Sequence, residues 1–502
     1  MSLRAISSSD HNSPARKREA GPSLMHRFTV GLIQAMLFIF LANAPATSVL
    51  GQEKPQIPAE LKPALETINQ RSVTATINFL ASDEMRGRDT PSRELTIASA
   101  YVAARFKAAG LTGLGDEGSF YQTTQIATTA APQTGISLSS DGKAISHYGL
   151  LSAGAEAMTF EGTVLALSGK EDRSATFDGP ITFVADDFNG PRDQSNFNRK
   201  LARYRRGGAT AILVQVDPDH LLVGAARRAS QPRLVRPRGG VAGQVLLVPK
   251  MKFGQVEMEL PKQIGGESPV RNVVGILRGS DPELAKEAII ITAHLDHIGQ
   301  QGIVGDTICN GADDNATGVT AVVSLADAFG VVAAKKNQDS PLKRSVIFMT
   351  FWGEEKGLLG SRHYVNDPAW PLDKTLCNIN IEMIGRPEPG GNEKAWVTGW
   401  EKSDLGKVMN DGSEQVGVLI FNHPQFGGEM LYRASDNFPF VEKGVIAHSF
   451  SAGSLHSDYH QVTDHIEKLE LRHMTRVIQG LFAGSLRIAQ GKATPTESNK
   501  ER

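Results

Sequence analysis

The residues of this chain best suited to chemistry fall in a few short stretches: His294-Leu295-Asp296-His297, Asp313-Asp314, Glu354-Glu355, Glu382, and His456 with His460. Each type alone has an ordinary use, as a satisfied core histidine, a solvated glutamate pair or an aspartate capping a helix. Gathered in one place they need a cation, because burying several carboxylates together without one is prohibitively costly. Imidazole and carboxylate without thiolate suit zinc, with cobalt or manganese as substitutes. Two imidazoles and three carboxylates exceed what one open tetrahedral ion takes and match two ions that share a bridging carboxylate. There is no His-Glu-x-x-His run for a helix-borne single zinc, and no Gly-x-Ser-x-Gly elbow for a serine hydrolase.

Such groups converge only if the fold brings them together. From Asn272 onward strand and helix patterns alternate, which predicts an α/β fold: a mixed, mostly parallel sheet flanked by helices. Apolar runs at 288–294, 345–355, 377–385 and 444–450 read as its strands. The chemical residues stand at or just beyond their carboxyl ends, where open α/β sheets bind ligands. Val319, Val322, Val323, Ala326 and Phe329 mark a helix after the first of them, entered through "GADDNATG" at 311–318. Residues 73–109 read as two helices interrupted by a Gly-Arg-Asp-Thr-Pro turn. Between them and the sheet, 135–265 reads as an inserted β-rich domain. The organisation expected is therefore a signal region at 1–51, a first part of the main domain at 52–134, the insertion at 135–265, the main part at 266–490 and a disordered tail at 491–502.

Composition narrows the partners. In 502 residues, 53 Lys and Arg oppose 54 Asp and Glu, a formal charge of -1 that gives no global footprint for nucleic acid or an anionic membrane. Met25-His26-Arg27, the apolar run Phe28 to Ala42 and the small residues after it have the order of a secretory signal, which implies export, Met25 as the initiator and no stable membrane association after cleavage. An uncleaved anchor is the alternative. Cys309 and Cys377 can pair after export or stay as free thiols.

The motifs "AHLDHIG", "NGADDNATGV", "FMTFWGEEKGLLGSRHYV", "NINIEMIGR" and "SDYHQVTDHI", in this order, resemble the co-catalytic dizinc exopeptidases that include leucyl aminopeptidases, glutamate carboxypeptidase and glutaminyl cyclase. The resemblance covers 272–485, with a fainter match at 73–125, and the insertion is similar to a protease-associated domain. It implies two zinc ions, with His294 and His460 as terminal ligands, Asp313 as the bridge, Glu355 and Glu382 as the other carboxylates, and Glu354 as general base. A cis peptide is implied after Asp313. Asp296 is expected to accept the spare N–H of His294, Tyr459 to stabilise an oxyanion or pack in the core, and Asp464 to orient His460 or start a capped helix. Glu382 departs from the family, whose peptidases mostly carry aspartate there. His297 and His456 are spare imidazoles beside the site.

An exopeptidase must also recognise a chain terminus. Residues 427–440 are expected to line the pocket, with Glu429 as an amine anchor and Arg433 available for a carboxylate. Arg203, Arg205, Arg206, Arg227, Arg228, Arg233, Arg236 and Arg238 make two basic clusters in the insertion, which would favour acidic peptides if they overhang the cleft. The reading is an exported dizinc aminopeptidase acting on peptides. Its rivals are a carboxypeptidase, a one-zinc glutaminyl-cyclase-like enzyme and a metal-free receptor on the same scaffold.

Overall fold

The computed structural model describes residues 59–498 except 169–170, 172–173, 189–192, 236–242, 302–304, 335–340 and 454. The leader expected at 1–51, and Arg236 and Arg238 of the second basic cluster, lie outside the described residues.

A short helix, Lys62–Thr67, opens the described chain, and two longer ones follow. In α1 (Gln70–Leu80) the side chain of Asn69 accepts from Ser72 N at 3.0 Å, and Val73, Thr76, Ile77 and Leu80 form the buried stripe. In α2 (Arg93–Ala108) Ser92 caps Leu95 N in the same way. The strand β1 (Tyr121–Ala130) leaves this core, and β2 (Ile264–Leu277) returns beside it, antiparallel over ten residue pairs from Tyr121↔Val273 to Ala130↔Ile264.

The parallel part of the sheet follows: β3 (Ala288–His294), then helix α3 (Thr317–Ala333), β4 (Ser345–Phe351) and β5 (Thr375–Ile381). The short strands β6 (Lys394–Val397) and β7 (Leu419–Phe421) precede β8 (Ile446–Ser451) and the closing helix α4 (Leu471–Ala489). The spatial order is the edge strand Arg233–Leu234, then β1-β2-β4-β3-β5-β8-β6-β7, with β4, β3, β5 and β8 mutually parallel. Their carboxyl ends therefore share one edge.

The strands are buried on both faces, and alternate residues go to opposite layers. Ile289, Ile291, Val346 and Phe348 face α1, α2, α3 and α4, while Ile290, Ile347 and Met349 face Tyr364, Trp370 and Phe440. Phe329 of α3 is wedged between Phe348 and Phe482, ring centroids 5.8 and 5.2 Å away, so truncating it would cost about 3–5 kcal/mol.

Between β1 and β2 the chain builds two further sheets. One runs Gly149–Ser152, Gln244–Pro249, Ala209–Val216, Gly179–Val184, Leu165–Ala166, with all neighbours parallel except the first pair. The other is antiparallel: Lys143–Ala144, Ser137–Ser140, Gln255–Leu260, Met158–Thr163. This segment also holds helices Gln194–Arg206 and Leu221–Ala229, so it is more than strands. The first buries Phe197, Leu201 and Tyr204, spaced four and three apart among basic residues that disguise the stripe. Arg205 of the basic run folds inward to Ser152 Oγ (2.7 Å) and Gly243 O (3.1 Å).

The tail expected to be disordered from 491 is ordered through 498. Buried Arg344 donates to Ala493 O and Thr494 Oγ1, both at 2.8 Å, and Asp404 accepts from Thr496 N and Oγ1. Both cysteines are buried free thiols.

Candidate metal centre and active site

β3 delivers His294, 2 % exposed, to the shared edge. Its Nδ1 lies 3.0 Å from the backbone O of Asp296; a carbonyl only accepts, so Nδ1 carries a proton and Nε2 is the nitrogen turned toward the carboxylates. The Asp296 carboxylate is farther, 3.9 Å from Nδ1, and accepts instead from Thr90 Oγ1 (2.9 Å) and Glu354 N (3.1 Å). The tautomer is thus set by the Asp296 carbonyl, where its carboxylate was expected, and that carboxylate fixes the backbone of Glu354.

His294 Nε2 faces Asp314 Oδ1 and Glu382 Oε2, each 3.3 Å away. Glu382 follows β5, and its other oxygen, Oε1, accepts from Ser435 Oγ (2.5 Å) and Asn380 Nδ2 (3.1 Å). These two donors seat the longer side chain at 382 and leave Oε2 turned to His294. Glu355, beyond β4, has Oε2 3.1 Å from His460 Nε2 and Oε1 2.8 Å from His297 Nδ1. His460 Nε2 in turn lies 3.2 Å from Asp314 Oδ2.

Asp314, not Asp313, therefore spans the two groups. The chain breaks its helical path at Asp314 (φ -106°, ψ 93°) and Asn315 (φ -132°, ψ 41°), which turns the second carboxylate toward the strand ends and the first toward the protein. Asp313 is consumed by structure: Oδ1 accepts from Gly385 N (2.8 Å) and Oδ2 lies 3.2 Å from His456 Nε2. The cis peptide joins Asp314 to Asn315, one bond later than expected. Asn315 ties this turn to the Glu382 segment, donating to Ile381 O (2.8 Å) and accepting from Met383 N (3.2 Å). Asp464 neither orients His460 nor caps a helix; its oxygens accept from Asp313 N and Asp314 N at 3.1 Å.

Sequence reasoning passed over Arg88. It is 1 % exposed and donates to four carbonyls, of Leu80, Leu295, Asn310 and Gly311, so it ties the His294 and Asp314 loops to α1. A basic residue in a Gly-Arg-Asp-Thr-Pro turn was the only signal for it.

The electrostatics follow from this packing. Burial works against charge on His294, yet Glu382, Glu354 and Asp314 around it hold its pKa well above the ordinary imidazole value. His460 is pushed up to about 10 by Asp314 and Glu355. Burial also opposes charge on Glu355, but the imidazoles of His297 and His460 draw it down to about 2. Glu354 is raised well above the carboxylate range, first by burial and then by Asp436, Glu382 and Glu355. Acidic and imidazole groups thus form two metal-compatible groups, His294/Asp314/Glu382 and His297/Asp314/Glu355. Buried Asp314 Oδ2, Glu355 Oε1 and both ring nitrogens of His297 lack hydrogen-bond partners, as expected of atoms shaped to hold cations.

The first group, His294, Asp314 and Glu382, lines a cleft of about 640 Å³ that is open to solvent, which His297, Glu355 and His460 do not line. Glu354 and Tyr459 line it with Trp396, Phe426, Leu431 and Leu455, and none of its lining residues comes from the insertion. Tyr459 stacks on His460, ring centroids 3.9 Å apart. Ser435 lines the cleft, whereas Glu429 and Arg433 point outward and pair with each other at 2.7 Å.

The chain is similar to several known proteins. "Aminopeptidase YwaD" of Bacillus subtilis is 24% identical over 326 residues, 60% of each chain. A "Probable glutamate carboxypeptidase" of Arthroderma benhamiae is 27% identical over 192 residues, 37% of this chain and 24% of that one. The matches thus span less than two thirds of these relatives' lengths. Among solved structures, "BSAP, a zinc aminopeptidase from Bacillus subtilis" aligns with 88% of this chain and 98% of its own at 18% identity, with a TM-score of 0.49. Residues 272–483, which carry every one of the ligand candidates above, match the model of peptidase family M28.

Proposed function

We propose that the protein is an exported, zinc-dependent aminopeptidase that hydrolyses N-terminal residues from peptides. The observation that carries this reading is the pair of ligand groups sharing Asp314, with Glu354 beside both and lining the cleft. His294, Asp314 and Glu382 would hold one ion, and Asp314, Glu355 and His460 the other. When bound, two divalent ions supply Lewis acidity toward the scissile carbonyl and make water acidic enough to lose a proton at neutral pH.

The chain's own groups do the rest. Glu354 has its backbone fixed by Asp296 and its carboxylate in a buried, basic-shifted environment, so it can take the proton from water and hand it to the leaving amine. Trp396, Phe426, Leu431 and Leu455 favour an apolar first side chain and exclude water around it. The terminus recognised is the amine. The cleft's lining includes Asp314, Glu354 and Glu382 and, among the described residues, neither Arg nor Lys. Lys356, the cation nearest the ligands in sequence, is paired with Asp89 (2.7 Å), and Arg386 is engaged by Asp458 (2.8 Å) and His456 (3.0 Å). A carboxypeptidase would need a free cation there. Export rests on the leader pattern at 25–51.

The test is Glu354→Gln on the zinc-loaded protein. Turnover of a free-amine leucyl peptide should fall by about 10²–10⁴ with metal content unchanged, and N-acylated peptides should be inert to the parent enzyme. Cleavage of blocked peptides from the carboxyl end, or loss of metal from the variant, would overturn the assignment.

A further inference from the structure

The second ligand group contains an imidazole that the resemblance leaves spare. His297 is 0 % exposed, and both of its ring nitrogens lack hydrogen-bond partners. Its Nδ1 lies 2.8 Å from Glu355 Oε1 and 3.7 Å from Asp314 Oδ2, two oxygens that are themselves buried and unpartnered. A donor and an acceptor at 2.8 Å normally bond. Here they are close without being aligned on each other, the arrangement adopted by atoms that point their lone pairs at a common third centre. Ligands about 2.0–2.1 Å from one tetrahedral ion stand roughly 3.3 Å apart, the scale of the distances found. His460 approaches from the other side, its ring centroid 5.7 Å from that of His297 and its Nε2 3.1–3.2 Å from Glu355 Oε2 and Asp314 Oδ2.

The backbone is built to admit this ring. Gly311 has φ +58°, and a Cβ there would lie 2.5 Å from His297 Cγ. His297 N donates to Arg88 O at 3.3 Å, which fixes where the side chain starts. The first glycine of "GADDNATG" thus makes room for the imidazole that faces the aspartate three residues on.

We propose that His297, through Nδ1, is a ligand of the second ion. This rests on the two-metal reading and adds to it: one site has three protein ligands, His294, Asp314 and Glu382, and the other has four, Asp314, Glu355, His460 and His297. Closed sites hold structural ions and open ones keep a position for water or substrate. The four-ligand site is accordingly the tighter, and fills first when metal is limiting.

The experiment loads the full-length protein with two equivalents of Co(II) and counts hyperfine-shifted imidazole N–H resonances after isotope labelling of histidine. Three are expected, from His294, His297 and His460, and one should vanish in His297→Gln, with the tighter Co(II) held at least about tenfold more weakly in chelator competition. Two resonances in the parent protein would overturn the assignment of His297 while leaving both ions in place. Fewer than two ions bound would instead refute the two-metal reading. The count on the parent protein decides the question even if the variant fails to fold.

Discussion

Replacing Asp313 and Asp314 separately by asparagine, which keeps size and removes charge, tests the geometry most directly. Asp314 Oδ1 lies 3.3 Å from His294 Nε2 and its Oδ2 3.2 Å from His460 Nε2, so one substitution strips an anionic donor from both groups. Asp313 reaches neither; it holds Gly385 N and stands beside His456. Partners behind the ligands typically account for about 10–100-fold in metal affinity, equal to about 1.4–2.7 kcal/mol, and Asp313→Asn should fall within that range. Asp314→Asn should weaken each site by more than about 100-fold, so that dialysis against dilute chelator removes both ions. The assay is metal content by elemental analysis with competitive titration, alongside circular dichroism to confirm folding. If Asp313→Asn emptied both sites while Asp314→Asn kept two ions, the bridge would be assigned to the wrong aspartate and the described turn would be wrong with it.

Other consequences can be measured without turnover. Arg88→Met leaves four buried carbonyls without their donor and should lower stability to urea by at least about 3 kcal/mol; an unchanged midpoint would mean those carbonyls find other partners. His448, bonded to Thr398 O and Ser403 Oγ, is pushed down to about 4 by burial, against about 6.5 unfolded. As pH falls the unfolded chain takes the proton first, so this stability is full above about 6.5 and is lost toward 4, by about 3 kcal/mol in all. His448→Gln should flatten that part of a stability-against-pH curve, and an unaltered slope would assign the loss elsewhere. Deleting residues from 491 onward removes two of the acceptors of buried Arg344 and should cost about 1–3 kcal/mol, read as a lower thermal midpoint.

The sheet was legible because fully buried parallel strands read as continuous apolar runs, and the chemistry was legible because it sits at their ends. His294, Glu355, Glu382 and His460 meet as their order along the chain implied. Adjacent aspartates defeated the same logic. Neighbours in sequence differ in direction by a local backbone break that composition does not encode, and the choice between Asp313 and Asp314 rests on that break. Arg88 was invisible for a related reason: its partners are main-chain carbonyls, which every sequence has. The helix at 194–206 was hidden by arginines and lysines that cover its outer face, since only three of its residues point inward.

The antiparallel pair β1 and β2 carries one more implication. Because Ala130 stands directly opposite Ile264, the intervening chain departs and comes home at the same spot, so its length is nearly invisible to the sheet it leaves. Closing such a detour grows dearer only with the logarithm of its span. The strands would register identically around a two-residue hairpin, so apart from the edge strand Arg233–Leu234 that the insertion lends to β1, the scaffold holding the ions can exchange what hangs from that stalk without re-threading its core.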